Sequence, residues 1–229
     1  MLVAISAAHG RHAITRAWAE HTASLGFDKV VVAVTDNDET NFNTCLSDGF
    51  TVQYLANEPL ARKFNYSLDV AHRMYDAARI MILPSDDFAS PAWVKAARES
   101  EADYLYPHEC GIFDAASGQA YVIRKLTFGQ LKYGAGRVVS RKVVEACGGE
   151  LWPDGLNKGL DSASHARITK AGFPIEILKT EGVPITDVKT ADNLWPFRTW
   201  QGAGQASDAT ECLHMLSPSV RAQIDALKA

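Results

Sequence analysis

Through its N-terminal half the chain alternates short apolar runs with segments whose apolar positions return every three or four residues. Leu2–Ala7, Lys29–Thr35 and Phe50–Leu55 predict three strands, the second dense in β-branched residues. Arg79–Leu83 predicts a fourth, apolar without alternation, as a strand covered on both faces must be. Between them, His12–Leu25 sets Ile14, Trp18 and Leu25 on one helical face, with Gly26 as the stop. Ala61–Tyr75 does the same with Phe64, Leu68, Ala71 and Tyr75. Ser90-Pro91 supplies an N-cap and first-turn pair for a helix reaching about Ser100. Strands interleaved with helices in this order imply a mainly parallel sheet with right-handed crossovers.

The second half is less regular. Asp103–Tyr106 and Gln119–Lys125 predict strands around a Gly/Asp/Ser turn, and Ser140–Cys147 a short helix ended by Gly148-Gly149. Asp161–Ala171 predicts a helix stopped by Gly172, Pro174–Leu178 a late strand, and Ser217-Pro218 the cap of a last helix to about Leu227. Asn193–Gly204 mixes Trp, Pro, Phe, Arg and Gly without period and predicts a surface loop. With no repeat, low-complexity tract or linker, the 229 residues are expected to form one domain.

Composition narrows the class. Hydrophobic residues are 47% and charged residues 22%, an ordinary globular balance. Runs such as Val30–Val34 and Ile80–Leu83 are too short to span a bilayer, so no transmembrane segment is expected. The start lacks a basic n-region and is interrupted by His9, Arg11 and His12, unlike a signal peptide. Cys45, Cys110, Cys147 and Cys212 have no paired spacing, which fits buried or free thiols in a reducing compartment. A cytoplasmic location is the expectation, the host cytoplasm if the chain is phage-encoded. The net charge of −4 gives no general pull toward nucleic acid or anionic lipid.

The chemistry centres on Leu83-Pro84-Ser85-Asp86-Asp87. Ligands of open α/β sheets bind beyond the carboxyl ends of the strands. Two adjacent carboxylates there would suit a hard divalent cation that keeps waters and substrate phosphates in its shell. A polar loop leading into the helix capped by Ser90 explains the same pair.

With an Asp pair after the fourth strand, this order of elements resembles the family 2 glycosyltransferases and their GT-A fold, in the nucleotide-diphospho-sugar transferase superfamily. The likeness runs over roughly residues 2 to 190 as a succession of short motifs. It implies an α/β, Rossmann-like, mainly parallel mixed sheet flanked by helices. Residues 1–100 would then be the nucleotide-sugar half, 101–190 the acceptor side, and 191–229 a C-terminal loop and helices. Pro84 stands where the first Asp of the family's Asp-x-Asp motif is usual. By the resemblance Asp86 would hold Mn²⁺ or Mg²⁺, with Ser85 and Asp87 beside the donor sugar.

Other segments fall where the family pattern puts them. Val34-Thr35-Asp36-Asn37 ends the second strand, and Asp36 would bond the nucleotide base, although a turn or cap explains it as well. Lys63-Phe64-Asn65 resembles the family's basic-then-Asn helix, so Arg62, Lys63 and Asn65 would lie near the nucleotide, as would Ala7 at the end of the first strand. Gly134-Ala135-Gly136-Arg137 through Arg141, then Gly148-Gly149, looks like the acceptor segment. Asp161, in Gly159-Leu160-Asp161-Ser162, stands where the family keeps its catalytic base, a position that an N-cap Asp also favours. His165 shares a helical face with Asp161 and would orient it or touch the acceptor, although a place on a half-buried surface explains it as well. Trp195 and Arg198, in the late loop, would contact the acceptor or close over the site; Lys189 or Arg198 would reach the diphosphate.

The resemblance thus implies a metal-dependent, inverting transfer from a nucleoside-diphosphate sugar, a UDP-sugar by preference, to an acceptor hydroxyl. The acceptor stays open among a glycan, a lipid-linked sugar, a protein and a modified DNA base. Two alternatives stand beside it. One is a sugar-phosphate nucleotidyltransferase, for which Ala7-Ala8-His9-Gly10-Arg11 is an echo of a phosphate loop. The other is a non-catalytic glycan- or partner-binding protein, favoured by Pro84.

Overall fold

The computed structural model describes residues 1–124, 134–191, 193, 197–200 and 204–228. The chain opens β1 (Leu2–Ala8), α1 (His12–Ser24), β2 (Lys29–Thr35), α2 (Glu39–Ser47), β3 (Thr51–Leu55) and α3 (Leu60–Asp69). A π-helical turn at Val70–Met74 extends α3 before β4 (Arg79–Ile82), β5 (Asp87–Ala89), α4 (Pro91–Glu99) and β6 (Tyr104–Pro107). Then come β7 (Glu109–Asp114), β8 (Ala120–Arg124), β9 (Val138–Ser140), α5 (Arg141–Ala146) and α6 (Leu160–Lys170). The last elements are β10 (Glu176–Leu178), β11 (Ile185–Lys189), β12 (Gln205–Ser207), α7 (Ala209–Leu213) and α8 (Pro218–Asp225).

Two sheets form. The first is ordered β10-β6-β9-β4-β1-β2-β3, with β3, β2, β1 and β4 parallel and β9 antiparallel to both β4 and β6. Its central strands feed both faces. In β1, Leu2, Ala4 and Ala8 enter one apolar cluster while Val3 and Ile5 enter the other; β4 divides Met81 from Ile80 and Ile82 in the same way. This period of two, apolar on each side, is why the strands read as unbroken apolar runs. One face is covered by α1, α4 and α8 through Trp18, Trp93 and Ile224, the other by α3, α5 and α6 through Phe64, Val143 and Ile168.

The second sheet, β12-β8-β7-β11-β5, has mostly antiparallel pairs. It shares the α1-side cluster with the first sheet through Phe88, Ile112, Val122 and Ile185. The chain passes from one sheet to the other between β4 and β5, so Asp86 stands at the crossing, where its carbonyl accepts from Val188 N–H at 2.9 Å.

The α/β class, the GT-A type of layering and the first four strands agree with the expectations from sequence. The caps agree as well: Ser90 Oγ accepts from Trp93 N–H at 3.1 Å and Ser217 Oγ from Val220 N–H at 3.2 Å. Three features differ. Helix α2 carries no apolar stripe, since Asn41 and Cys45 are its buried residues, so periodicity does not announce it. The second sheet is built largely of short strands that the pattern leaves unmarked. Asp187-Val188-Lys189, for which the pattern predicts no element, is buried β-strand paired with β7, and its Asp187 also lies opposite β5. The four cysteines are buried thiols. No helix among the described residues is long and apolar enough to cross a membrane.

Candidate functional site

Because β1, β2 and β4 are parallel, the turns at their carboxyl ends share one edge of the sheet. The turn after β2 and the first residues of α1 and α2 enclose a cavity of about 440 Å³ lined by His9, His12, Thr35, Asp36, Asn37 and Asp38, among others. Asp38, which the sequence reading passed over, holds this region together. It caps α2 and its Oδ2 accepts from Gly10 N–H at 2.9 Å, while His12 Nε2 lies 3.0 Å from Oδ1. Asp36 and Asn37 are exposed at the mouth, and Ala7 is half-buried at the end of β1.

Lys63 lies beneath this cavity with 0% of its surface exposed. Its ammonium donates to Ala8 O at 3.1 Å, Asn57 Oδ1 at 3.2 Å and Thr35 Oγ1. It is thus no solvated helix lysine but a charge built into the floor. Burial pulls its pKa down to about 8, against the upward pull of Asp38 and Asp36. The unfolded chain therefore holds more protons between pH 8 and the ordinary lysine value, and unfolding grows harder as pH rises through that window. We expect the stability of the protein to gain on the order of 3 kcal/mol in full across this window, its Tm to rise accordingly, and the gain to be missing in Lys63→Met. Paired thermal melts from pH 7 to about pH 10.5 check it; parallel profiles would contradict it.

The neighbouring residues of α3 serve otherwise. Arg62 is exposed, whereas Asn65 is buried and clamps a loop, donating to Trp152 O at 2.7 Å and accepting from the Leu151 and Trp152 N–H groups.

Next along the edge stands Asp86, its side chain 14% exposed. Its Oδ2 accepts from Arg11 Nη1 at 2.6 Å and from Asn193 Nδ2 at 2.6 Å. Burial works to raise this carboxyl, but Arg11, Lys189 and the two hydrogen bonds together hold it below the usual carboxylate range. Asp87 lies in β5 opposite Asp187 of β11, whose carboxylate pairs with Lys189. Ser85 is fully buried just before them. The group is therefore three carboxylates against two cations, Arg11 and Lys189.

Carboxylate oxygens are the donors that Mg²⁺ and Mn²⁺ take. Among the described residues no three His, Cys, Asp or Glu side chains converge into a metal-binding group. The donor set fits a cation anchored by a single carboxylate, with water and substrate phosphates completing its shell, and not a closed protein cage.

Farther along lies Asp161, in the first turn of α6. The N-cap there is Gly159, at φ 73°, so capping does not account for Asp161. Its partner is Arg137, which has 0% of its surface exposed and sits where the backbone of Arg137 accepts from Ile82 N–H at the end of β4. Arg137 Nη2 donates to Asp161 Oδ1 at 2.8 Å; Nη1 donates to Ser164 Oγ at 2.9 Å, Asp161 O at 3.1 Å and Tyr104 Oη at 3.3 Å. Nε donates to Gly134 O at 3.1 Å, and the guanidinium stacks over Tyr106. A Cβ on Gly134 would run into both Asp161 Oδ1 and Arg137 Nη2, so any larger residue there would displace this ion pair.

Despite this partner, the Asp161 side chain is 44% exposed. The part of the carboxyl turned toward Arg137 and Gly134 is desolvated, which raises its pKa, and Arg137 and the Gly134 N–H oppose that rise without cancelling it. The charge of Lys189 acts to lower both Asp86 and Asp161. His165 Nδ1 lies 3.3 Å from Tyr104 Oη, behind Arg137. Arg198 is exposed in a 3₁₀ turn, Phe197–Trp200, and Trp195 lies outside the described residues.

Comparison with known proteins gives fold relatives only. No protein-family model and no curated protein matches the chain. Among solved structures, S. aureus TarS residues 1–349 in complex with UDP-GlcNAc superposes with a TM-score of 0.61 at 14% identity, over 84% of this chain and 59% of that one. The chain thus spans about three-fifths of that structure's length. Rv0371c from Mycobacterium tuberculosis H37Rv, in complex with manganese, superposes at 0.55 with 16% identity, over 85% and 94% of the two chains. The inositol-1-phosphate CTP transferase from T. maritima superposes at 0.51 with 13% identity, over 99% and 96%. Parallel β3-β2-β1-β4 order, the crossing at Asp86 and these likenesses together give the chain the nucleotide-diphospho-sugar transferase fold, of Rossmann-like GT-A type.

Proposed function

We propose that the chain is a glycosyltransferase that takes its sugar from a nucleoside diphosphate, UDP by preference. The observation that carries this reading is a pair of carboxylates in opposite electrostatic settings along one sheet edge. Asp86 is held ionised by Arg11 and Asn193, and Asp161 is raised by burial yet fixed by Arg137. Such a pairing suits a strand-end site in which one acid anchors charge and the other exchanges a proton.

In this reading the nucleoside lies in the cavity after β2, with Asp36 toward the base. Asp161 accepts the proton of the acceptor hydroxyl as that oxygen bonds to the sugar's C1, and the C1–O bond to the diphosphate breaks with its electron pair leaving on the phosphate. One carboxylate in that role, attacking from the side opposite the leaving group, corresponds to inversion. A bound Mn²⁺ or Mg²⁺ at Asp86 would offset charge on the departing diphosphate. The TarS complex with UDP-GlcNAc and the manganese complex of Rv0371c, both on this fold, support the donor class and the metal. The apolar cluster shared by both sheets supports reading the chain as one domain.

A thermal-shift and transfer screen with UDP-, GDP- and dTDP-sugars, each with and without Mn²⁺, tests it. A ligand selective for the native state raises Tm. Failure of every donor to raise Tm or be hydrolysed would overturn the proposal.

Arg11 favours a second reading, a nucleotidyltransferase. It is a cation placed directly after the first strand, on a chain that superposes on 96% of a CTP transferase. Release of pyrophosphate from a nucleoside triphosphate plus a sugar phosphate would select that reading instead.

A further inference from the structure

One of the two carboxylate oxygens of Asp86, Oδ2, is already held by two donors. Arg11 reaches it from the turn between β1 and α1, and Asn193 from the segment after β11, each at 2.6 Å. Asn193 is itself set in place, its Oδ1 accepting from Thr190 N–H at 2.6 Å. A dication and a guanidinium on one carboxylate repel each other as like charges a few ångströms apart. Arg11 also follows His9 and precedes His12, both lining the 440 Å³ cavity. The turn that borders the cavity thus also carries the side chain that reaches Asp86. Guanidinium binds phosphate bidentately, a partner of higher charge than a carboxylate.

We infer that Arg11 is a latch on Asp86: it and a divalent cation compete for that carboxylate, and the diphosphate of the donor admits the cation by drawing Arg11 away. The inference rests on the proposed function, which makes Asp86 the cation's anchor. By linkage, whatever factor the nucleotide adds to metal affinity the metal adds to nucleotide affinity. Binding of the two is then coupled through one side chain. A coupling of the usual allosteric size is about 5–150-fold.

The test is Mn²⁺ binding followed by the electron paramagnetic resonance signal of free Mn²⁺, with and without UDP, after subtraction of Mn²⁺ bound by UDP in buffer. GDP and dTDP are run in parallel. The wild-type protein is expected to bind Mn²⁺ about 5–150-fold more tightly with nucleotide present. Arg11→Gln should bind Mn²⁺ alone more tightly than the wild type does without nucleotide, and its coupling should be smaller than the wild type's, the remainder being direct coordination of Mn²⁺ by the phosphates. Arg11→Lys, which keeps a cation on a different stem, should retain part of the coupling and carries the test should Arg11→Gln not fold. Equal wild-type affinity in both arms, full coupling in Arg11→Gln, or no Mn²⁺ binding in any form overturns the latch. Tm measured in the same samples separates this from failure of the donor reading. A nucleotide that raises Tm without the expected coupling removes the latch alone, whereas none raising Tm removes both.

Discussion

Asn in place of Asp161 is expected to slow transfer about 10²–10⁴-fold, the ordinary contribution of a positioned general base, in a protein that still folds. The fold tolerates the change because the amide oxygen of Asn can still accept from Arg137 Nη2, which now contacts Oδ1. Stability shifts in a defined direction. A carboxyl whose folded pKa is raised favours the native state at low pH and gives up that advantage as pH rises through the folded value. Burial raises Asp161, so at neutral pH the neutral Asn costs nothing on this account. The same raised value sets the acid limb of activity. Transfer should fall off as pH drops through a point above the ordinary aspartate value of about 3.9, because only the ionised base accepts a proton. A kcat/KM profile against pH reads that limb directly. Turnover by Asp161→Asn within a few-fold of wild type would remove Asp161 from the chemistry.

Arg137→Met is expected to destabilise the protein by about 3–5 kcal/mol, the usual result of taking one partner from a buried ionic network. For a chain of this length that is a fall in Tm on the order of 10 °C. The size follows from what the guanidinium serves: the Gly134 carbonyl, the Tyr104 and Ser164 hydroxyls, the Asp161 carbonyl and the Asp161 carboxylate all accept from it. Methionine of similar length fills the volume and leaves those acceptors without a donor, at a cost set by desolvation. The Asp161 carboxylate, 44% exposed, can recover water, so most of the loss belongs to the carbonyls and hydroxyls. Denaturant melts of Arg137→Met and Arg137→Lys together check this. Lysine keeps the charge but not the planar fork, and it should recover only part of the loss. Equal stability of Arg137→Met and wild type would contradict the network's importance.

How much of this was legible beforehand differs along the chain. The central strands declared themselves because both faces of β1, β2 and β4 are covered, which leaves uninterrupted apolar runs. Helices α1 and α3 declared themselves by single stripes, Ile14 with Trp18 and Phe64 with Leu68, each set against one layer. The second sheet did not. Strands as short as Asp87–Ala89 and Gln205–Ser207 contain too few residues to show a period, and β11 carries Thr186, Asp187 and Lys189 inside the fold. Buried charge is the common reason for such misses. A charged residue reads as solvent-facing unless its partner is known, and the partners here lie far off in sequence: Arg11 with Asp86, Arg137 with Asp161, Asn193 with Asp86. Lys63 shows the same difficulty in reverse, since a basic residue on a helix is ordinarily wet and this one is sealed under Thr35. Asp86 and Asp161 were picked out by motif order, whereas Asp38 had no stronger mark than a place before a helix that itself lacked a stripe.

The sulfur chemistry of the chain has a practical side. Thiolates react with alkylating dyes and thiols scarcely do, and burial pushes Cys45 and Cys212 up to about 12. Cys110 and Cys147 are enclosed as well. A maleimide fluorophore added at neutral pH therefore meets no accessible native target, and a single cysteine introduced at exposed Arg62 or Arg198 takes the label by itself. Reporter dyes can be installed at either position with all four native cysteines left in place.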